Sequence, residues 1–128
     1  MSGDDRVILE GVVGGTDATD AIYLFNPFSD HKLLIRAAFL GPNVAVATHA
    51  SNYITTTLTT SATLATHTTN SSGGSALVAG TRKDLTLSGT GLALEVAAGG
   101  SITVAVAKAG TGPAYEHVVQ VLCSRIRN

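Results

Sequence analysis

Residues 53–60 read YITTTLTT, five threonines in eight positions, with Ile54, Thr56 and Leu58 on one parity and Tyr53, Thr55, Thr57 and Thr59 on the other. β-Branched side chains lose rotamer freedom against the preceding turn of a helix and sit well on a pleated surface, so the segment is a strand. The same period of two recurs along the chain. Leu92, Leu94 and Val96 share a parity, residues 97–101 interrupt with two glycines, and Ile102, Val104 and Val106 resume, the pattern of a hairpin with a glycine turn. Residues 6–13, 21–25, 32–40, 44–48, 63–67, 76–79, 84–87 and 117–126 are further candidates, and from these eleven segments around nine or ten short strands are expected. Breaks fall between them at Gly14-Gly15, Asn26-Pro27, Gly41-Pro42-Asn43, NSSGG (70–74), SGTG (88–91) and GTGP (110–113). The chain therefore reads as all-β, an antiparallel sandwich or barrel.

Two segments admit a helix. Residues 32–40 contain Leu33, Leu34, Arg36, Ala37 and Ala38, which tolerate one, but Gly41-Pro42 ends the run after nine residues and no second helix is present to pack on it. Residues 16–21, capped by Thr16 or Asp17, are too few to carry a helical layer.

A chain of 128 residues is the size of one domain, with a short leading arm at 1–6 and the sandwich over 7–128. Charged residues make up 13% of it, against roughly 25% in an average domain, and the net charge is −1. The eight basic residues are scattered, so no cationic stripe for nucleic acid forms. Cys123 is alone, which removes an intrachain disulfide and any Cys-x-x-Cys site. The start, MSGDDR, has no apolar export segment, and no run of about twenty apolar residues follows to span a membrane. Threonine, serine, alanine and glycine must then cover much of the outside, and flat β surfaces with so little charge associate. A symmetric homo-oligomer is the expected state, with Tyr53, Thr55, Thr57 and Thr59 as its interface.

The search for chemistry returns no enzyme signature. Ala47 to Asn52 and Ala65 to Asn70 share the pattern A-T-H-x-[ST]-N, but no carboxylate lies between Asp30 and Asp84 to complete a metal site with His49 and His67. Both copies read as strand ends, where Asn, Ser and Thr satisfy turn backbone. His31 and His117, beside Asp30 and Glu116, read as solvated turn residues. There is no G-x-S-x-G elbow or phosphate loop, and Gly89-Thr90-Gly91 lacks the third glycine of a dinucleotide fingerprint. Asn70-Ser71-Ser72 reads as an exposed loop and Cys123 as a buried thiol. Phe25 and Phe28 around Asn26-Pro27 close a core edge, and Tyr53 and Tyr115 are the surface tyrosines. Catalysis, cofactor, metal and small-molecule substrate are all absent from this reading.

The leading arm, the threonine strand, the V-A-A-G-G-S-I-T-V-A-V segment at 96–106 and the glycine-rich 110–113 before a last strand together resemble small capsid decoration, or cement, proteins of tailed bacteriophages. The resemblance implies a jelly-roll-like sandwich, often trimeric, bound to the outer surface of an icosahedral head assembled in the host cytoplasm. There it bridges capsomers of the major capsid protein. Avidity from repeated modest contacts suits such a role. The termini are the expected shell contacts, through Ser2, Asp4, Asp5, Arg6, Arg125 and Arg127, because free ends order on binding. The competing expectation is a carbohydrate- or receptor-binding β module of the fibre-head or lectin kind, for which exposed aromatic rings are the signal.

Overall fold

A computed structural model describes residues 5–15 and 19–127. Nine strands follow in chain order: β1 Arg6–Gly15, β2 Thr19–Phe25, β3 His31–Pro42, β4 Tyr53–Thr59, β5 Thr63–Thr68, β6 Lys83–Leu85, β7 Glu95–Val96, β8 Ser101–Ala109 and β9 Tyr115–Arg127. One sheet has the order β1-β9-β3-β6, with β7 also on β3, and the other the order β2-β8-β4-β5. All pairings are antiparallel. Apart from the short β7, successive strands divide between two four-stranded sheets as in a jelly roll, and the expected sandwich is what forms.

Alternation builds the core. β4 buries Ile54, Thr56 and Leu58, β8 buries Ile102, Val104 and Val106, and β9 opposes them with Val119, Val121 and Cys123. Each fully buried aliphatic side chain contributes roughly 1.5–3 kcal/mol. On β1 the inward position at Gly11 is left without a side chain because Leu24 and Ile22 of the opposite sheet fill it; a Cβ there would lie 2.8 Å from Leu24 Cδ2. Among the described residues the termini of the fold lie together, since Arg6 pairs with Ser124 and the Arg125 N–H donates to the Asp5 carbonyl at 2.7 Å. Arg6 thus opens β1, and Asp5 is held to β9 by that hydrogen bond. The segment 1–4, and the helix considered around Thr16 and Asp17, fall outside the described residues.

The helix-tolerant run at 32–40 is a strand, and its ambiguity has a cause. The register against β9 slips between Ile35 and Ala37, so Arg36 is an extra, outward residue and the inward set passes from Leu33 and Ile35 to Ala38 and Leu40. Two other expectations are corrected. Residues 44–48 and 76–79 are loops joined by a single bridge, Val46 to Leu77, whose side chains plug the core from outside the sheets. Residues 92–106 are not a hairpin. Gly91, at φ 58°, opens a 3-10 turn over Gly91–Leu94 that points Leu92 at solvent, and only Glu95 and Val96 extend, pairing with β3 while β8 enters the other sheet.

That crossing is held by Asn26. Its side chain is buried, and its Nδ2 donates to the carbonyls of His31 at 2.9 Å, Ala97 at 3.1 Å and Val96 at 3.3 Å, while Oδ1 accepts the Phe28 N–H at 3.0 Å. Asn26→Ala strands these groups, and a buried unpaired group costs about 1–3 kcal/mol. Urea unfolding of that variant should show a loss of at least that size, whereas Asn43→Ala, at an exposed site with one 3.4 Å bond, should stay within about 0.5 kcal/mol of the parent.

Candidate interaction surfaces

The outward positions of β2, β8, β4 and β5 form a face without charge among the described residues. Thr55, Thr57 and Thr59 of β4 stand opposite Ala107, Ala105 and Thr103 of β8, and Thr55 and Thr57 stand opposite Thr68 and Thr66 of β5. Tyr53 ends the row beside Ala109. The four residues expected at an interface are thus brought onto one face and are half-buried by their neighbours. Thr55 and Thr68 join side chain to side chain at 3.2 Å, which stiffens the row. The strands' two charged residues point elsewhere. Asp20 accepts a hydrogen bond from the Tyr115 hydroxyl, and Lys108 lies over the Tyr115 ring, 5.6 Å from its centroid.

On the edge strand β2 of this face, Tyr23 and Phe25 are 57% and 63% exposed, with ring centroids 6.3 Å apart. Phe25, read with Phe28 as closing a core edge, is thus exposed, and only Phe28 packs against the core. Tyr115, read as a surface residue, is buried at the sandwich interior and Tyr53 is half-buried. Parity carries the missing signal: Tyr23 and Phe25 alternate against the inward Leu24, and Tyr115 falls on the same parity as Val119, Val121 and Cys123.

Charge gathers instead on the other sheet and at one pole. Of the expected shell contacts, Ser2 and Asp4 lie outside the described residues, while Asp5, Arg6, Arg125 and Arg127 come together where β1 begins and β9 ends. Arg125 Nη2 is 3.8 Å from Asp5 Oδ1, and its guanidinium sits 5.2 Å from the Phe28 ring centroid. Arg127 pairs through its backbone with His31, whose Nδ1 is 2.8 Å from Asp30 Oδ1. Lys32 and Glu95 form an ion pair at 2.9 Å beside them. Two chain ends far apart in sequence therefore make one mixed-charge surface.

The histidines are divided differently from the sequence reading. His49 is exposed, and its Nδ1 accepts the N–H groups of Ser51 at 3.0 Å and Asn52 at 2.9 Å. The second A-T-H-x-[ST]-N copy ends β5 and begins the turn after it, where Asn70 Oδ1 accepts the Ser72 N–H at 2.8 Å, whereas the first is a loop rather than a strand end; the two meet, since His49 bridges Asn70 in parallel fashion. His67 and His117 are buried, the second completely, which corrects its reading as a solvated turn residue. Thr56, opposite His67 on β5, lies 3.3 Å from His117 Nε2, and His67 Nε2 is 3.1 Å from Ser75 Oγ. Neither Nδ1 has a hydrogen-bond partner among the described residues. No three His, Cys, Asp or Glu side chains among those residues cluster as a metal centre needs. The Cys123 thiol is fully buried and pushed up to about 11 by desolvation, so it is held as the neutral thiol.

Burial pushes His117 down to about 4, with His67 adding to the effect and the Glu116 main chain opposing it. Burial and then Lys83 lower His67 as well. The unfolded chain, with ordinary histidines, binds more protons than the fold below pH about 6.5, so stability falls on acidification from there to about pH 4 and levels off beneath. The loss attached to His117 is about 3 kcal/mol. Urea midpoints measured between pH 7 and pH 4 should show this slope, and His117→Gln should flatten it.

No protein-family model and no curated protein sequence matches the chain.

Proposed function

We propose that the protein is a structural component of a tailed-phage virion that binds the outside of the icosahedral head as a homo-oligomer and bridges capsomers. The observation that carries the reading is the division of charge between surfaces: a neutral threonine and alanine face on one sheet, with the ionic groups on the other sheet and at the pole of the chain ends. Copies associate through the neutral face, around Tyr53, Thr55, Thr57 and Thr59, where no side chain must give up a hydrated charge. The terminal pole, with Asp5, Arg6, Arg125 and Arg127, faces the major capsid protein. A body of this kind works by rigidity and repetition, and the jelly roll supplies both without catalytic machinery. Fold alone does not choose this role, since jelly rolls also serve as lectins.

Expanded heads of the cognate tailed phage, stripped of their decoration, provide the test. The protein should co-sediment with them at saturating occupancy and raise the temperature at which they burst. Removing residues 1–4, which leaves β1 intact, together with Arg125→Glu, should lower occupancy by an order of magnitude or more. Occupancy unchanged in that variant removes the terminal pole from the mechanism, and a protein that never sediments with heads overturns the reading.

A second reading rests on the Tyr23 and Phe25 ledge, because adjacent exposed rings on a flat strand are what a sugar face stacks against. In that case the protein is a carbohydrate-binding module. A glycan array decides: hits abolished by Tyr23→Ala with Phe25→Ala favour it, and none excludes it.

A further inference from the structure

β1 pairs with β9 on one side and with no described strand on the other. A free edge of this kind is a template for another strand, and proteins commonly blunt it with lysine, proline, a bulge or simple shortness. The opposite edge of the same sheet follows that rule, since β6 has three residues. β1 does not. It runs for ten residues, without lysine or proline, in unbroken register with β9 from Arg6 to Gly15. Its outward positions in the first half are Arg6, Ile8 and Glu10, and Ile8 is 61% exposed.

The order of those three residues is self-complementary. If a second copy lays its β1 antiparallel along this edge, centred on Ile8, Arg6 of each copy faces Glu10 of the other and the two Ile8 side chains meet at the twofold axis. Inward, Val7 of each copy then faces Leu9 of the other, so the apolar interior also runs across the junction. In register, Ile8 stands beside Leu122 of β9, which stands beside Ala37 of β3. The pairing places two such apolar rows end to end across a continuous eight-stranded sheet. Glu10 already accepts from Gln120 Nε2 through Oε1 at 2.9 Å, which orients the carboxylate and leaves its second oxygen for an arginine.

We infer that β1 is a twofold contact between copies of this chain, formed by antiparallel strand addition about Ile8. The occupant is a second copy rather than a foreign strand because the charges match their own reverse. Opposite-charge pairs directly across an antiparallel ladder are favourable and like charges are not. The inference rests on the reading of the protein as self-associating, but uses a surface separate from the threonine face, so the twofold contact joins assemblies that the neutral face has already made.

The test uses charge reversal on the whole chain, read by analytical ultracentrifugation at low salt and tens of micromolar protein. Arg6→Glu alone and Glu10→Arg alone each set like charges opposite one another and should halve the mass of the wild-type assembly. Mixing the two variants restores opposite pairs at every position, and the mass should return. Ile8→Cys should give a covalent dimer with a short bis-maleimide, because the two introduced β-carbons lie about 4.5–5.5 Å apart, wider than most disulfides span, while Cys123 is buried and does not interfere. Masses unaltered in both single variants, or no cross-link through position 8, overturn the inference. Retention on phage heads is scored on the wild type: heads occupied by a protein that shows no twofold contact refute only this pairing, whereas a wild-type assembly that has the twofold contact but ignores heads refutes the virion role and leaves the pairing intact.

Discussion

A sandwich whose chain crosses repeatedly between two sheets has to satisfy the backbone at every crossing, and here one buried amide serves two of them. Asn26 bonds the carbonyl of His31, where the chain passes from β2 to β3, and those of Val96 and Ala97, where it passes from β7 to β8. A carbonyl at such a crossing that is shut off from water must find a partner within the protein. Gly99, at φ 72°, supports the second crossing by placing its N–H on the Phe28 carbonyl at 3.0 Å. Both strands next to this clamp, β2 and β8, belong to the neutral sheet, and β3 and β7 belong to the charged one. The relative placement of the two surfaces thus depends on a few hydrogen bonds at one end of the fold.

The interior divides along the same axis. Most of it is aliphatic and closes by alternation, but near β5, β4 and β9 the layer becomes polar, with His67, Thr56 and His117 in sequence across the gap between sheets. Neutral imidazoles can sit there; imidazolium cannot without a counter-ion. The Asp20 carboxylate is engaged by the Tyr115 hydroxyl, and Lys83 opposes a further positive charge on His67. Acid sensitivity is therefore a consequence of how the sandwich is closed and needs no separate device.

Much of this was legible in the residues, and what was not has identifiable causes. β4 and β8 announce themselves because aliphatic residues alternate with threonine or alanine, and the structure keeps that alternation over Tyr53–Thr59 and Ser101–Ala107, with Thr56 taking an inward place. β3 was harder because the bulge at Arg36 inserts one residue and reverses the parity, which looks locally like a run without period. The segment at 92–96 misled in the opposite sense: Leu92, Leu94 and Val96 alternate by coincidence across a 3-10 turn that Gly91 permits. His117 was misjudged by weighing its neighbour Glu116 over its parity with Val119, although the second is what decides burial in a strand. The pole of chain ends was named residue by residue but its unity was not, since only pairing of β1 with β9 makes Asp5 a neighbour of Arg125.

Low charge in a chain is usually taken as a single property, yet its effect depends on where the few charges stand. Spread evenly, eight basic and nine acidic groups would guard every face weakly. Among the described residues they gather mainly on one sheet and at the pole of the chain ends, which leaves the threonine face free to meet other surfaces without desolvating an ion, and they also become specific, because Arg6 and Glu10 on a straight strand form a pattern that can match a partner or reject it. The neutral face supplies area with little discrimination, and the charged edge supplies discrimination with little area. An assembly that must be both extensive and regular, such as a layer repeated over a symmetric shell, needs the two together, and in this fold they lie on different strands, where each can act without disturbing the other.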